Sequence, residues 1–159
     1  MSRYARQTAL LGEAAQRQLT GASVLVIGAG GLAVPVIQYL VGAGVGHIRI
    51  ADADVVSLTN LHRQTLFRTT DIDLPKVAVV ARGMAELNPD TTVEPVPKCV
   101  DPANIASLCK GMTLILDCAD SFAVSYTVSD HCLVTGQPLV SASVTTRNFL
   151  PFGAVPASP

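Results

Sequence analysis

The stretch SVLVIGAGGLAVPVIQYLVGAG, residues 23 to 44, constrains the fold more than any other part of the 159-residue chain. After Ser23 comes VLVI, an apolar and mostly β-branched run of the kind found in strands buried on both faces. Glycines interrupt it at 28. From Leu32 to about Val41 the chain is apolar again, which fits a buried helix with Pro35 in its first turn and Gly42 or Gly44 at its end. A strand that runs through glycines directly into a helix opens a doubly wound α/β fold. GAGGLA fits the GxGxxG/A pattern, with Gly28, Gly30 and Ala33 at its three positions and Gly31 in the same turn. Gly28 permits the tight turn, Gly30 lets a phosphate reach the backbone amides of a helix N-terminus, and a small residue at 33 lets helix and strand pack closely.

The remainder alternates in the same way. Residues 12–20 predict a short polar helix, 47–51 (HIRIA) a strand, and 75–88 a helix that begins at a proline and stops at Asn88-Pro89. TTVEPVP reads as an edge strand, 102–109 as a short helix, 112–118 as a strand, 121–135 as a helix and 138–143 as a strand. The expected architecture is a Rossmann-like, mainly parallel sheet of about five strands with an N-terminal helix. Its ligand would lie at the carboxyl ends of the strands. We divide the chain into a helical arm at 1–22, the nucleotide-binding domain at 23–143, and an irregular tail at 144–159 rich in prolines and small residues.

Composition excludes several alternatives. Net charge is −1, from 11 basic and 12 acidic residues without like-charge blocks, so neither nucleic acid nor an anionic membrane is an expected partner. The apolar runs are too short to span a bilayer and the opening residues lack a signal-peptide layout, which points to the cytoplasm. Charged residues make up 14% of the chain against about 25% in ordinary globular domains, a deficit that a subunit interface or further chain would explain. Cys99, Cys109, Cys118 and Cys132 form no CxxC pair, so they read as small buried hydrophobes, with Cys118 notable for its acidic neighbours.

Asp52 lies 24 residues after Gly28 at the end of the second strand, where a carboxylate accepts hydrogen bonds from ribose hydroxyls. That much suits a dinucleotide or a nucleoside triphosphate. The cations separate them. A dinucleotide presents a pyrophosphate that helix amides largely satisfy, whereas this chain adds Arg63 after the acid and Lys76 in the first turn of a helix. A cation there opposes the helix dipole unless an anion is near. Lysine is otherwise scarce, at Lys98 and Lys110 only. LDCAD sets Asp117 and Asp120 at the end of the fourth strand. Asp120 suits magnesium bridging phosphates, while Asp117 reads as a helix cap.

These residues resemble the MoeB/ThiF/HesA family of adenylating enzymes, which are similar to ubiquitin-activating enzymes. The resemblance runs from about Arg3 to Ser143 through RYARQ (3–7), VLVIGAGGL (24–32), AGVGHIRIADADVVSLTNLHRQ (43–64), PKV (75–77), LNP (87–89), LDCAD (116–120) and PLVSAS (138–143). NLHRQ behind the acidic strand is its most specific part. The resemblance implies an ATP-dependent adenylyltransferase that activates the C-terminal glycine of a ubiquitin-like sulfur carrier protein of molybdopterin or thiamine biosynthesis. It implies that Asp52 binds the ATP ribose, that Arg63 and Lys76 hold the phosphates, that Asn60 and Gln64 line the pocket, and that Asp120 coordinates Mg2+. Arg6 would reach the site of another subunit of a homodimer.

The chain departs from the family at Ala33, in place of the third glycine, and at Ser121, in place of asparagine. It also lacks the family's later strands, its CxxC pairs and its sulfur-transfer cysteine, so no structural zinc is expected here. Two other readings are a nucleotide-binding or dimerising homologue without turnover and an NAD-dependent oxidoreductase. The oxidoreductase leaves Arg6, Arg63, Lys76 and Asp120 without work.

Overall fold

The structure is a computed structural model that describes residues 2–144, so most of the expected tail lies outside the described residues. The elements in order are α1 (Ala5–Gly21), β1 (Ser23–Ile27), α2 (Ala33–Ala43), β2 (His47–Ala51), α3 (Lys76–Leu87), β3 (Thr92–Val96), α4 (Ile105–Cys109), β4 (Leu114–Asp117), α5 (Phe122–Thr135) and β5 (Leu139–Ser141). The strands form one sheet in the order β3-β2-β1-β4-β5. Every pair is parallel, from His47 against Ser23 and Thr92 to Ile115 against Leu139. Among the described residues no helix is long and apolar enough to cross a membrane.

The burial pattern explains the continuous apolar run of β1. Val24 and Val26 face one layer, where Ile48 and Ile50 pack with Ile37 and Val41 of α2 and with Val77, Val80 and Met84 of α3. Leu25 and Ile27 face the other, against Ile115, Leu108 of α4, and Val128 and Cys132 of α5. The central strand therefore has no solvent face and no polar alternation. β3 is an edge strand, as its Pro95 requires, since proline lacks a ladder donor; Pro95 lies opposite Ile50.

The N-terminal helix begins earlier than the residue pattern predicts. α1 starts at Ala5 and is broken at Gly12, whose φ of 84° and ψ of 160° are not helical. The segment before the break has a weak apolar face, with Leu10 and Leu11 exposed, so periodicity gives little sign of it. It is held by polar contacts instead. Arg3 Nη1 donates to Leu87 O at 2.9 Å, and Gln7 Nε2 donates to Ala43 O at 2.9 Å. Gln16 Nε2 donates to the same carbonyl at 3.1 Å.

Buried Asn88 ends α3 and knots these helices together. Its Nδ2 donates to Tyr4 Oη and to Val41 O, both at 2.8 Å. Gly44 closes α2 at φ 84°, and a Cβ there would fall 2.5 Å from the Tyr4 ring. That position requires glycine twice over, for the left-handed backbone and for the close approach of the ring.

The long connection from β2 to α3 is fastened at Asp71, whose side chain is 5% exposed. It accepts from Arg68 N at 2.8 Å and pairs with the guanidinium of Arg82 on α3. The backbone amide of Arg68 and then the hydrogen bond from Arg82 hold the carboxyl below its usual range. A lowered folded pKa contributes stability that is present above the unfolded value and lost as pH falls through the folded one. Asp71→Asn is therefore expected to cost about 1–2 kcal/mol at neutral pH, because Arg82 is half exposed and its share is screened. The gap between variant and native protein should narrow below about pH 4. Urea unfolding at pH 7 and pH 3 measures both, and a gap that is constant with pH would show that the carboxylate charge contributes nothing.

Candidate functional site

The order β3-β2-β1-β4-β5 reverses direction between β1 and β4, and the loops that leave these two strands diverge there. The glycine turn lies at that point. Gly28 N donates to Ala51 O at 2.9 Å, and Gly28 adopts φ 96°. A Cβ on it would lie 2.9 Å from Cys118 O, so the turns after β1 and β4 touch where only glycine fits. Ala33 is fully buried at the start of α2, which satisfies the small-residue requirement in place of a third glycine.

Asp52 joins the glycine turn to the end of β2. Its Oδ2 accepts from Ala29 N at 2.6 Å and its Oδ1 accepts from Asp54 N at 2.7 Å. A carboxylate offers about four acceptor positions, so this arrangement leaves capacity for ribose hydroxyls.

The NLHRQ segment folds back over the turn. Asn60 O accepts from Arg63 N at 3.1 Å and from Gln64 N at 3.0 Å, and Asn60 itself is half-buried. This tight turn lays the next two residues on the glycines. A Cβ at Gly31 would be 3.4 Å from Arg63 O, and one at Gly30 would be 3.7 Å from Gln64 Nε2. Arg63 is exposed, with Nη1 donating to Thr59 O at 3.2 Å. Gln64 is 4% exposed, yet its Oε1 has no partner among the described residues. A buried amide oxygen without a donor is costly, and as an acceptor it would call for a donor group.

Lys76 is the first residue of α3 and is also buried. Its Nζ donates to Asp54 Oδ2 at 2.7 Å, with the lysine side chain 6% exposed and Asp54 67% exposed. The anion that a lysine at a helix N-terminus needs is thus partly supplied by the protein. Asp54 carries no signal in the linear pattern. It meets Lys76 because residues 54–56 run beside 73–76, with Val55 bridged to Pro75 and Lys76 N donating to Asp54 O at 2.9 Å.

The two aspartates of LDCAD differ. Asp117 is buried and accepts from Ala119 N at 3.1 Å and Ser141 Oγ at 2.8 Å. It therefore braces β5 and does not cap α5, contrary to the sequence expectation. α5 begins after Ser121 with no side-chain cap. Asp120 is exposed on the turn between them. No cluster of three metal-ligating side chains occurs among the described residues, so a cation here would rely on Asp120 and ligand oxygens, as magnesium commonly does. Burial and then the Asp117 charge push the Cys118 thiol up to about 11, which leaves it protonated and unreactive at neutral pH.

Arg6 is not brought to this cradle. It is exposed on α1, which is anchored to the carboxyl ends of α2 and α3, whereas the glycines precede the amino end of α2. The 11 residues of α2 separate these ends by about 16 Å.

Comparison with known proteins agrees with this geometry. The chain is 40% identical over 146 residues to a sulfur carrier protein adenylyltransferase of Thermus thermophilus, spanning 91% of this chain and 54% of that protein. It is 43% identical over 143 residues to the adenylyltransferase and sulfurtransferase UBA4 of Yarrowia lipolytica, spanning 89% of this chain and 36% of that one. The chain thus spans about half or less of these relatives. Among solved structures it superposes on E. coli tRNA N6-threonylcarbamoyladenosine dehydratase, TcdA, in complex with ATP, with a TM-score of 0.84 and 29% identity. That match covers 88% of this chain and 58% of TcdA. E. coli MccB superposes with a TM-score of 0.83 and 26% identity, over 89% of this chain and 45% of MccB. The ThiF family model matches residues 4–149, and with the glycine turn, the Asp52 carboxylate and the NLHRQ loop assembled at one switch point, the chain belongs to the ThiF family.

Proposed function

We propose that this chain carries the ATP-binding, adenylating part of an enzyme that activates the C-terminal glycine of a ubiquitin-like sulfur carrier protein of the molybdopterin or thiamine type. The observation that carries the reading is the Arg63–Gln64 segment laid on Gly30 and Gly31, which sets the Arg63 side chain beside the glycine turn. A dinucleotide pyrophosphate would need only the amides of the turn. A triphosphate uses the additional cation and polar wall. The adenylyltransferase relatives and the ATP complex of TcdA support the same assignment.

In the reaction, a carboxylate oxygen of the carrier attacks the α-phosphorus, an O–P bond forms, the bond from the α-phosphorus to the bridging oxygen breaks, and pyrophosphate leaves. The protein's part is alignment and charge neutralisation. Asp52 accepts from the ribose hydroxyls, the amides of Gly30 and Gly31 with Arg63 and Lys76 meet the phosphates, and Asn60 and Gln64 form the polar wall. Asp120 would hold Mg2+, which supplies further neutralisation of phosphate charge when bound. Arg6, a helix length from its own cradle, serves the site of a second subunit in a homodimer.

Calorimetry is expected to show binding of ATP with magnesium and none of NAD; tighter binding of NAD would replace this reading by an oxidoreductase. Asp52→Ala should weaken ATP by about 1–3 kcal/mol through lost ribose hydrogen bonds and a loosened glycine turn. An unchanged affinity would remove Asp52 from the site. For the subunit arrangement, Arg6→Ala and Lys76→Ala should each impair carrier-dependent pyrophosphate exchange, while a mixture of the two recovers part of it by forming one intact site per heterodimer. Absence of recovery in a mixture shown to exchange subunits would place Arg6 outside the partner's site.

A further inference from the structure

We infer that Asp54 is an internal counter-ion that nucleotide phosphate must displace from Lys76, so that it sets the threshold at which the site accepts an anion; this rests on the ATP reading above. The pair is asymmetric. The Lys76 side chain is 6% exposed, and the one carboxylate that meets its ammonium belongs to a residue 67% exposed. A buried ammonium with no anion is strongly disfavoured, so an empty site needs Asp54 in place. The exposed carboxylate, by contrast, gains as much from water as from the pair and is released at little cost.

The backbone of Asp54 does not depend on that contact. Its N–H donates to Asp52 Oδ1 at 2.7 Å and its carbonyl accepts from Lys76 N at 2.9 Å. The side chain alone is therefore exchangeable, while the strand segment, the ribose acid and the start of α3 stay fixed. Two anions compete for one ammonium. A weakly charged anion gains too little to displace the carboxylate, whereas a polyphosphate held also by Arg63 and the glycine amides gains enough. Asp54 thus keeps Lys76 paired and positioned in the empty protein, and lowers the affinity for phosphate in return.

The test compares native protein with Asp54→Asn, Asp54→Glu and Asp90→Asn by calorimetry, using magnesium-ATP, tripolyphosphate and adenosine as ligands. Asp90 is an exposed residue at the far end of α3 and controls for the loss of one negative charge. Asp54→Asn is expected to bind ATP and tripolyphosphate roughly fivefold more tightly, the scale of an exposed ion pair. Adenosine binding should be unchanged, and Asp54→Glu and Asp90→Asn should match native protein for all three ligands. Unchanged or weaker phosphate binding by Asp54→Asn overturns the inference. So does an equal shift for adenosine, which would mean that the substitution had rearranged the ribose side. If Asp54→Asn does not fold, Asp54→Ser carries the same expectation. Native protein that binds neither ATP nor tripolyphosphate removes the ATP reading and this inference together, whereas native binding without a gain in the variant removes this inference alone.

Discussion

The rest of the site depends on the Asp52 carboxylate. One oxygen accepts from Ala29 N in the glycine turn and the other from Asp54 N in the chain leaving β2. Two segments that diverge at the end of the sheet are thereby held at a fixed separation by one side chain. Hydrogen bonds to a charged acceptor are stronger than neutral ones, and each satisfies a backbone amide that loop geometry leaves without a partner. The carboxylate proposed above to receive a ribose is therefore also a structural element that fixes the glycine turn against the chain leaving β2.

Around that fixed point the cations are mounted differently. Arg63 projects from a turn closed by its own backbone and is exposed, its guanidinium resting on Thr59 O. Lys76 is buried at the beginning of a helix and already neutralised. The distant fastening at Asp71 and Arg82 matters to both. It pins the end of the connection that carries Arg63 to the helix that carries Lys76, so the two cations share one frame.

Much of this is legible in the sequence, because the signals are local. VLVI, the glycine turn and the apolar helix after it are contiguous, and burial on both faces leaves β1 no other pattern. The acid of the second strand and the NLHRQ segment stood out through a single motif. Three features were not readable, each for a physical reason. The first turns of α1 are held by Arg3, Tyr4 and Gln7 reaching the ends of α2 and α3, not by an apolar stripe, so no periodicity marks them. Asp54 finds Lys76 across 22 residues of chain through a bridge that no spacing rule describes. Asp117 reads as a cap because it precedes a helix, and only the neighbouring strand reveals that Ser141 takes its oxygen.

The edge strand β3 has a further meaning for how this sheet can be extended. In a parallel strand, alternate residues turn both backbone groups to the same side. Thr92 donates to Gly46 and Val96 accepts from Asp52, so the even-numbered residues face β2 and the odd-numbered ones face outward. The outward set includes Pro95 and Pro97, neither of which has an N–H. Of the outward positions of β3 itself, Val93 keeps its donor and Pro95 has none. On the opposite border Pro138 and Ala142 face β4, which turns Leu139 and Ser141 outward with their donors intact. Among the described residues the two borders of the sheet therefore differ, with proline thinning the donors beside the acid strand while β5 keeps its outward donors.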